Sequence, residues 1–324
     1  MARAAAASSF GQTTNAPQRA ATSFIDPAAL MAIRNLELRA RTVVEGFWHG
    51  IHRSPYHGFS VEFTEYRPYT SGDDPRYLDW RLVARTDRYF IKKFEDETNL
   101  RCQLIVDQSR SMEFSSLAYT KADYARTLAA TLAYFLAQQG DATGLLTFDS
   151  EVREFLPARH RPGHLRQLMV SLEREATGAA TDLIAPLRRV SELVRKRGMM
   201  VLVSDLLVPA DVLEAPLALL SAARHELVIF QLLDPAELHF DFANASRFVD
   251  VETGRDLYVD PALARKEYAR RIHAHIADVK SICQRLGVSH LQLLTSQPLE
   301  LALFDFLKAR AERGKNVVRR RSNA

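Results

Sequence analysis

The sequence has few of the features that mark membrane, secreted or repeat proteins. Only two of its 324 residues are cysteines, Cys102 and Cys283; each lies in an apolar-patterned segment, which favours buried free thiols over a disulfide. No apolar run is long enough to cross a bilayer, and no segment repeats at a fixed period, which argues against a solenoid. We therefore expect a cytoplasmic globular protein of about two domains.

An excess of one charge sign is also lacking, because the formal net charge is only +4. Much of the surplus lies in Lys315 and in Arg319, Arg320 and Arg321, within a predicted basic tail at 314–324. The chain shows no basic face with aromatic or groove-reading elements, so we expect no specific binding to nucleic acid. Residues 1–25, rich in Ala, Ser, Thr and Gln, lack the apolar core of a signal peptide and predict a disordered leader.

Familiar enzyme motifs are missing as well. There is no glycine-rich phosphate-binding loop and no Gly-x-Ser-x-Gly sequence, which a serine hydrolase of the α/β type would carry. These absences lower the expectation of catalysis without excluding it.

From residue 100 onward, short apolar runs alternate with longer amphipathic stretches. This alternation is typical of an α/β fold with a doubly wound, mainly parallel sheet, Rossmann-like in its general plan. The predicted strands are 104–107, 142–148, 152–156 (as an antiparallel neighbour), 199–204, 227–233 and 290–294. The predicted helices are 121–139, 164–175, 183–196, 210–224, 261–286 and 301–313, with a hairpin at 248–259.

Residues 26–99 have a different pattern. A helical period runs from about residue 26 to residue 50, and alternating residues then predict strands at 59–66 and 89–95. We interpret this region as a helix followed by a small β-rich module, placed before a domain at 100–313.

The first strand of the α/β region ends in Asp107, and the hydroxyl residues Ser109 and Ser111 follow it. Where the chain turns past the strand, these side chains can converge. Asp and Ser oxygens suit a hard cation such as Mg²⁺, with Mn²⁺ or Ca²⁺ as alternatives, whereas zinc would favour Cys or His. The competing interpretation is that Asp107 or Ser109 only caps the next helix.

Two more distant residues favour a metal site. Asp205 follows the apolar run at 199–204, and Thr181 precedes the helix that leads into that run. In a doubly wound sheet the first and fourth strands lie side by side where the strand order reverses, and ligands bind there at the strands' carboxyl ends. We therefore predict that Asp107, Ser109, Ser111, Thr181 and Asp205 meet, although Asp205 could instead cap the helix after it.

With these residues, the segment from about 100 to 313 resembles a von Willebrand factor A domain and its metal-ion-dependent adhesion site. The resemblance implies that Ser109 and Ser111 bind the cation directly, and Thr181 directly or through water. Asp107 and Asp205 would hold coordinated waters. One coordination position would stay open for a Glu or Asp carboxylate of a protein partner.

The upstream module contains the run Glu62-Phe63-x-x-x-Arg67-x-Tyr69-x-x-Gly72-Asp73-Asp74-x-Arg76-x-x-Asp79-Trp80-x-x-x-Ala84-Arg85. This run resembles the bacterial family known as domain of unknown function 58, in which it precedes a von Willebrand A-type domain. Members are commonly encoded beside AAA+ ATPases of the MoxR class, which implies a MoxR-type ATPase or its client as partner. The charged residues of this run equally suit a surface ion-pair network.

The function predicted from the sequence is therefore non-catalytic, metal-dependent capture of an acidic side chain. The alternative is a metal-dependent phosphohydrolase that uses Asp107 as phosphoryl acceptor; haloacid-dehalogenase-like enzymes, however, carry a second Asp where this chain has Ser109. A third possibility is a scaffold that binds no ion.

Overall fold

The computed structural model describes most of the α/β region and parts of the chain before it. The described residues are 24–53, 65–68, 90–93, 100–174, 183–222, 225–240, 242, 246–249 and 256–322. In the N-terminal module, β1 (Glu65–Pro68) pairs antiparallel with β2 (Phe90–Lys93). The remainder of the two predicted strands and the Gly72–Arg85 part of the family motif lie outside the described residues.

The central sheet has six strands, and it confirms the predicted α/β fold with a mainly parallel sheet. The order is β10-β7-β6-β3-β4-β5, and β5 is the single antiparallel member. The strands are β3 (Arg101–Asp107), β4 (Ala142–Phe148), β5 (Val152–Arg159), β6 (Met199–Ser204), β7 (Glu226–Leu233) and β10 (Ser289–Leu294).

The strand order reverses at β3. The chain first adds β4 and β5 on one side of β3 and then returns to add β6 and β7 on the other side. The first and fourth strands of the sheet are thus parallel neighbours, with Val106 opposite Val203. Their following loops leave the same end of the sheet, which is the predicted location for a ligand.

Helices cover both faces of this sheet. They are α1 (Pro27–Met31), α2 (Leu36–Arg53), α3 (Lys121–Gln138), α4 (His164–Glu173), α5 (Ile184–Leu193), α6 (Ala210–Ala222), α7 (Pro235–His239), α8 (Pro261–Arg285) and α9 (Leu299–Ser322). The bounds of α3 to α6 and α8 agree with the predicted helices to within three residues.

Two apolar layers follow from the alternation of side chains along buried strands. Leu104 and Val106 pack with α2, α3, α4 and α9, whereas Ile105 packs on the opposite face with α5, α6 and α8. Both faces of the central strands are covered, which explains why the sequence shows continuous apolar runs there and not a polar–apolar alternation. Cys102 and Cys283 are both buried free thiols, as predicted.

The N-terminal helical pattern contains a break that the sequence analysis missed. Helix α1 ends at Met31 and α2 begins at Leu36. The Asn35 side chain accepts a hydrogen bond from the Leu38 N–H, and the Arg39 side chain donates to the Ile33 carbonyl. These local bonds stabilise a turn that the apolar spacing alone conceals. Helix α2 belongs to the same apolar layer as α3, with Phe47 fully buried.

The last helix is longer than predicted. It continues from Leu299 to Ser322, through the predicted end at residue 313 and into the predicted basic tail. Arg and Lys are good helix formers, so the charged composition of residues 314–322 does not stop the helix.

The predicted hairpin is present as β8 (Ser246–Val249) paired antiparallel with β9 (Asp256–Val259). None of the helices described is long and apolar enough to cross a membrane.

Candidate metal centre

Four of the five predicted ligands lie at the carboxyl end of the sheet, around β3 and β6. Asp107 is the last residue of β3, and Ser204, the last of β6, lies beside it. The Ser204 hydroxyl donates to Asp107 Oδ2 over 2.6 Å. Asp205 follows directly, so two neighbouring strands deliver two carboxylates to one place.

Both oxygens of Asp107 accept hydrogen bonds from the protein. Oδ2 is held by Ser204, and Oδ1 accepts from the Ser109 N–H at 2.9 Å. The side chain is only 1% exposed. Burial, together with the nearby Asp205 charge, raises the pKa of Asp107 to about 6, against the opposing effect of these hydrogen bonds. The fixed orientation suits a carboxylate that holds a coordinated water.

The two serine hydroxyls converge as predicted. A short 3-10 helix, Arg110–Glu113, follows Ser109, and Met112 is fully buried beneath it, which anchors the turn. Ser109 Oγ and Ser111 Oγ are 3.1 Å apart. Two adjacent ligands of an octahedral Mg²⁺ with bonds of about 2.1 Å would be separated by roughly 3.0 Å. The two hydroxyls share a hydrogen bond, and the same separation is compatible with two adjacent ligands of one divalent cation.

Asp205 has a partner that the sequence analysis did not predict. The Lys121 ammonium lies 2.8 Å from Asp205 Oδ2 and 2.5 Å from Glu237 Oε1, and the lysine side chain is fully buried. Asp205 Oδ1 accepts from the Leu207 N–H at 3.3 Å. Lys121 thus bridges the β6 loop and α7.

The charges of this cluster do not cancel. The Lys121 ammonium contacts two buried or largely buried carboxylates, those of Asp205 and Glu237, and a third buried carboxylate, that of Asp107, lies close to Asp205. Desolvation opposes the charged form of Lys121, but the two carboxylates outweigh it and raise the pKa of its ammonium. Burial raises the pKa of the Glu237 carboxyl, because it disfavours the charged form, and the neighbouring Lys121 ammonium opposes that shift. Buried charges are normally paired or bound to metals, so the surplus negative charge favours a further cation.

The loop after β6 is fixed from several sides. Leu206 has a positive φ of 53°, which is uncommon for a residue with a branched side chain. Its N–H donates to Ser204 Oγ, its carbonyl contacts His275 Nε2 at 2.8 Å, and Gln231 donates to the Asp205 carbonyl at 3.1 Å. Such a conformation persists only where the surroundings impose it, so Asp205 is held in a defined place.

Four of the five predicted ligands, Asp107, Ser109, Ser111 and Asp205, therefore lie together at the predicted end of the sheet. Thr181 lies outside the described residues. Within the ranges that the structure covers, no group of three or more His, Cys, Asp or Glu side chains is arranged to hold a metal ion. A cation at this place would thus depend on the serine oxygens as well as on the carboxylates, which is the donor chemistry that suits Mg²⁺.

The sequence did not lead us to predict that Lys121, Glu237 and Ser204 belong to this site. Lys121 and Glu237 nevertheless have sequence features that mark them. Lys121 is the first residue of α3, where the positive end of the helix dipole disfavours a cation. Glu237 closes a capping box with Asp234 at the start of α7, a pattern readable as Asp-x-x-Glu. Nothing local distinguishes Ser204 from other strand residues.

Comparison with known proteins identifies a family. The family model described as "Protein of unknown function DUF58" matches residues 65–278. The uncharacterized protein Rv1480 of Mycobacterium tuberculosis is 30% identical over 290 residues, which cover 88% of this chain and 90% of that protein.

Solved structures show weaker similarity. An aerotolerance-related membrane protein from Bacteroides fragilis is 13% identical, with a TM-score of 0.43 over 63% of this chain and 96% of that one. The VWA domain of SpRpn10 is 12% identical, with a TM-score of 0.36 over 62% and 92%. Similarities this low support no conclusion about function.

Proposed function

The chain belongs to the DUF58 family, and from that premise we propose that it is a non-catalytic module that captures an acidic side chain of a protein partner through a divalent cation. The observation that carries the proposal is the convergence of the Ser109 and Ser111 hydroxyls, 3.1 Å apart, beside two buried carboxylates. Mg²⁺ is the first candidate ion, with Mn²⁺ or Ca²⁺ as alternatives.

Each residue has a distinct role in this proposal. Ser109 and Ser111 bind the cation directly, Asp107 and Asp205 hold its coordinated waters, and Thr181 completes the set. A cation with mostly neutral ligands keeps a strong attraction for an incoming carboxylate. Lys121 neutralises part of the negative charge and keeps Asp205 in position, since its ammonium touches Asp205 Oδ2.

The proposed partner is a protein that offers a Glu or Asp side chain. We suggest a MoxR-type AAA+ ATPase or its client, in an assembly or maturation system, because the sequence resemblance implies that association. A cytoplasmic location is part of the proposal and is supported by the two buried free cysteines.

The alternative, a phosphohydrolase with Asp107 as phosphoryl acceptor, has less support. Both oxygens of Asp107 are already hydrogen-bonded and the side chain is almost fully buried, so an attacking oxygen would have to leave its partners. Hydrolysis of p-nitrophenyl phosphate that Asp107→Asn abolishes would favour this alternative over capture.

The first experiment is a titration of the full chain with Mn²⁺ and Mg²⁺ by calorimetry, followed by electron paramagnetic resonance of bound Mn²⁺. We expect one saturable site, weakened about 10- to 100-fold in Asp107→Ala. Asp149→Asn is the matched control, because Asp149 is also a buried aspartate that follows a strand at the same end of the sheet; it should bind as the wild type does. Binding that is absent in the wild type would refute the proposal.

The second experiment captures partners on the immobilised full chain, with Mg²⁺ or with a chelator. A genuine partner should be retained only with the ion and lost from an Asp107→Ala column. Once the partner is identified, substitution of its contacting acid by the corresponding amide should abolish retention. Capture that is unchanged in chelator would favour the scaffold that needs no ion.

A further inference from the structure

The opposite, amino end of the sheet contains a basic cavity of about 720 Å³. It is bounded by the first residues of β3, β4 and β6 and by the last residues of antiparallel β5, with the end of α5 as one wall. This cavity is remote from the candidate metal centre, since one lies before the parallel strands and the other after them.

The charged side chains that line the cavity all carry the same sign. The basic residues are Arg101, Arg159, His160, Arg161, Arg195 and Lys196, and among the described residues no Asp or Glu contributes to the lining. Asp141, which interacts electrostatically with His160, is already bound to Arg310 at 3.3 Å and to the Leu100 N–H at 3.0 Å. Five permanent cations thus surround one space, with no carboxylate from the described ranges among them.

The arginines keep most of their donors unused within the described part of the chain. Arg101 donates to the Ala158 carbonyl at 3.3 Å, and Arg161 donates to the Gln167 side chain at 3.5 Å. Neither acceptor is charged, and a guanidinium has five N–H donors. No described carboxylate forms an ion pair with Arg159, Arg195 or Lys196. The remaining donors can form forked bonds with phosphate oxygens.

The apolar lining residues and the volume of the cavity indicate which class of ligand it could bind. Phe155, Pro157, Leu193, Val194 and Met199 supply an apolar surface between the cations. A volume of about 720 Å³ falls in the range of small-molecule sites, which combine an apolar lining with a few polar groups. A compact anion of several charges with an aromatic or apolar body fits both features.

Two glycines allow neighbouring chain segments to approach closely beside this cavity. The Gln103 side chain crosses β4 to donate to the Leu156 carbonyl of β5 at 3.3 Å. It can do so because Gly144 has no side chain: a Cβ there would lie 2.3 Å from Gln103 Oε1. A Cβ on Gly198 would lie 2.3 Å from the Arg101 carbonyl. Gly198 lines the cavity, and Gly144 lies beneath the Gln103 side chain, which also lines it.

We propose that this cavity binds a phosphate-bearing small molecule with an aromatic body, of the nucleotide class. Its phosphates contact Arg159, Arg195 and Lys196, and its ring lies on Phe155 and Pro157. The proposal is independent of the metal centre, because the two sites share no residue.

The test is calorimetric titration of the full chain with ADP, with inorganic pyrophosphate and with adenosine, in chelator. We expect ADP to bind more tightly than pyrophosphate, and adenosine to bind least, because charge and apolar surface both contribute. Single charge reversals Arg159→Glu and Arg195→Glu should each weaken ADP binding about tenfold or more.

Two controls make the outcome decisive. Arg166→Glu reverses an exposed arginine of α4 outside the cavity and should bind ADP normally. Circular dichroism should show that every variant is folded. ADP binding that is absent, or unaffected by both reversals, overturns the proposal. Tighter binding of an oligo-glutamate peptide than of ADP also overturns it and identifies an acidic-peptide site.

Discussion

The two ends of the central sheet use charge in opposite ways. At the carboxyl end, Asp107, Asp205 and Lys121 are almost completely buried and are held by hydrogen bonds. At the amino end, the arginines and Lys196 that line the cavity are exposed and have few partners. Desolvated charges affect folding as well as binding, whereas solvated charges affect mainly what binds.

This difference arises from the topology. Parallel strands deliver their following residues to one end of the sheet, and there α3 and α7 cover the acidic cluster through Lys121 and Glu237. At the other end, basic side chains near the ends of β5 and α5 line a cavity. Substitutions at the two ends should therefore have different consequences, and the following experiments compare them.

The largest effect is expected from Lys121→Met. The substitution leaves Asp205 and Glu237 buried without their counter-ion, which should lower the free energy of unfolding by about 3–5 kcal/mol in chelator. Urea unfolding at neutral pH measures it. Addition of Mn²⁺ should restore part of the loss, because a divalent cation would neutralise the same carboxylates. Lys280→Met, at an exposed position of α8, is the control and should change stability by less than about 0.5 kcal/mol.

The next effect is a pH dependence that arises from Asp107. Its pKa is raised from 3.8 to about 6, so the folded state binds this proton more tightly than the unfolded chain does. The contribution of protonated Asp107 to the free energy of unfolding is fully present below about pH 4 and is lost as the pH rises through about 6. The loss is at most about 3 kcal/mol.

The measurement for Asp107 compares wild type with Asp107→Asn by urea unfolding at several pH values between 4 and 7, in chelator. The amide cannot titrate, so the difference between the two proteins isolates this group. If the difference in free energy of unfolding between the two proteins stays constant over the whole pH range, the prediction is contradicted. A saturating divalent ion should reduce the pH dependence of the wild type's stability.

A smaller loss of stability should follow Gly144→Ala. The new Cβ would lie 2.3 Å from Gln103 Oε1, 2.6 Å from the Ala158 nitrogen and 2.7 Å from the Leu156 carbonyl. Two of these atoms belong to the backbone and cannot move freely, so we expect about 1–3 kcal/mol of destabilisation. Thermal or urea unfolding measures it. The control is Gly46→Ala in α2, where the nearest atom is the mobile Ile25 Cδ1 at 3.1 Å.

The smallest effect on stability is expected at the basic cavity. Arg195→Ala removes an exposed side chain that has no described ion-pair partner, and should change the free energy of unfolding by less than about 0.5 kcal/mol. The same variant should weaken ADP binding. A stability loss comparable to that of Lys121→Met would show that the two ends do not differ as the structure indicates.

Much of the fold was predictable because its signals are local. Continuous apolar runs at 104–107 and 199–204 predict strands buried on both faces, and the amphipathic period at 121–139 predicts α3. The acids that follow two of those strands, with Ser109 and Ser111 after the first, were readable as a group. The break between α1 and α2 was not, because it depends on a hydrogen bond that the Asn35 side chain accepts and one that the Arg39 side chain donates, and not on apolar spacing.

The sequence by itself determined which segments form strands and helices, and which oxygen-bearing residues follow the strands, since both depend on neighbours along the chain. Only the tertiary structure decided that Lys121 meets Asp205, 84 residues away, and Glu237, 116 residues away. It also decided that the arginines from the ends of β5 and α5 surround one cavity. Contacts between distant segments depend on how helices pack across the sheet, and no local pattern records that packing.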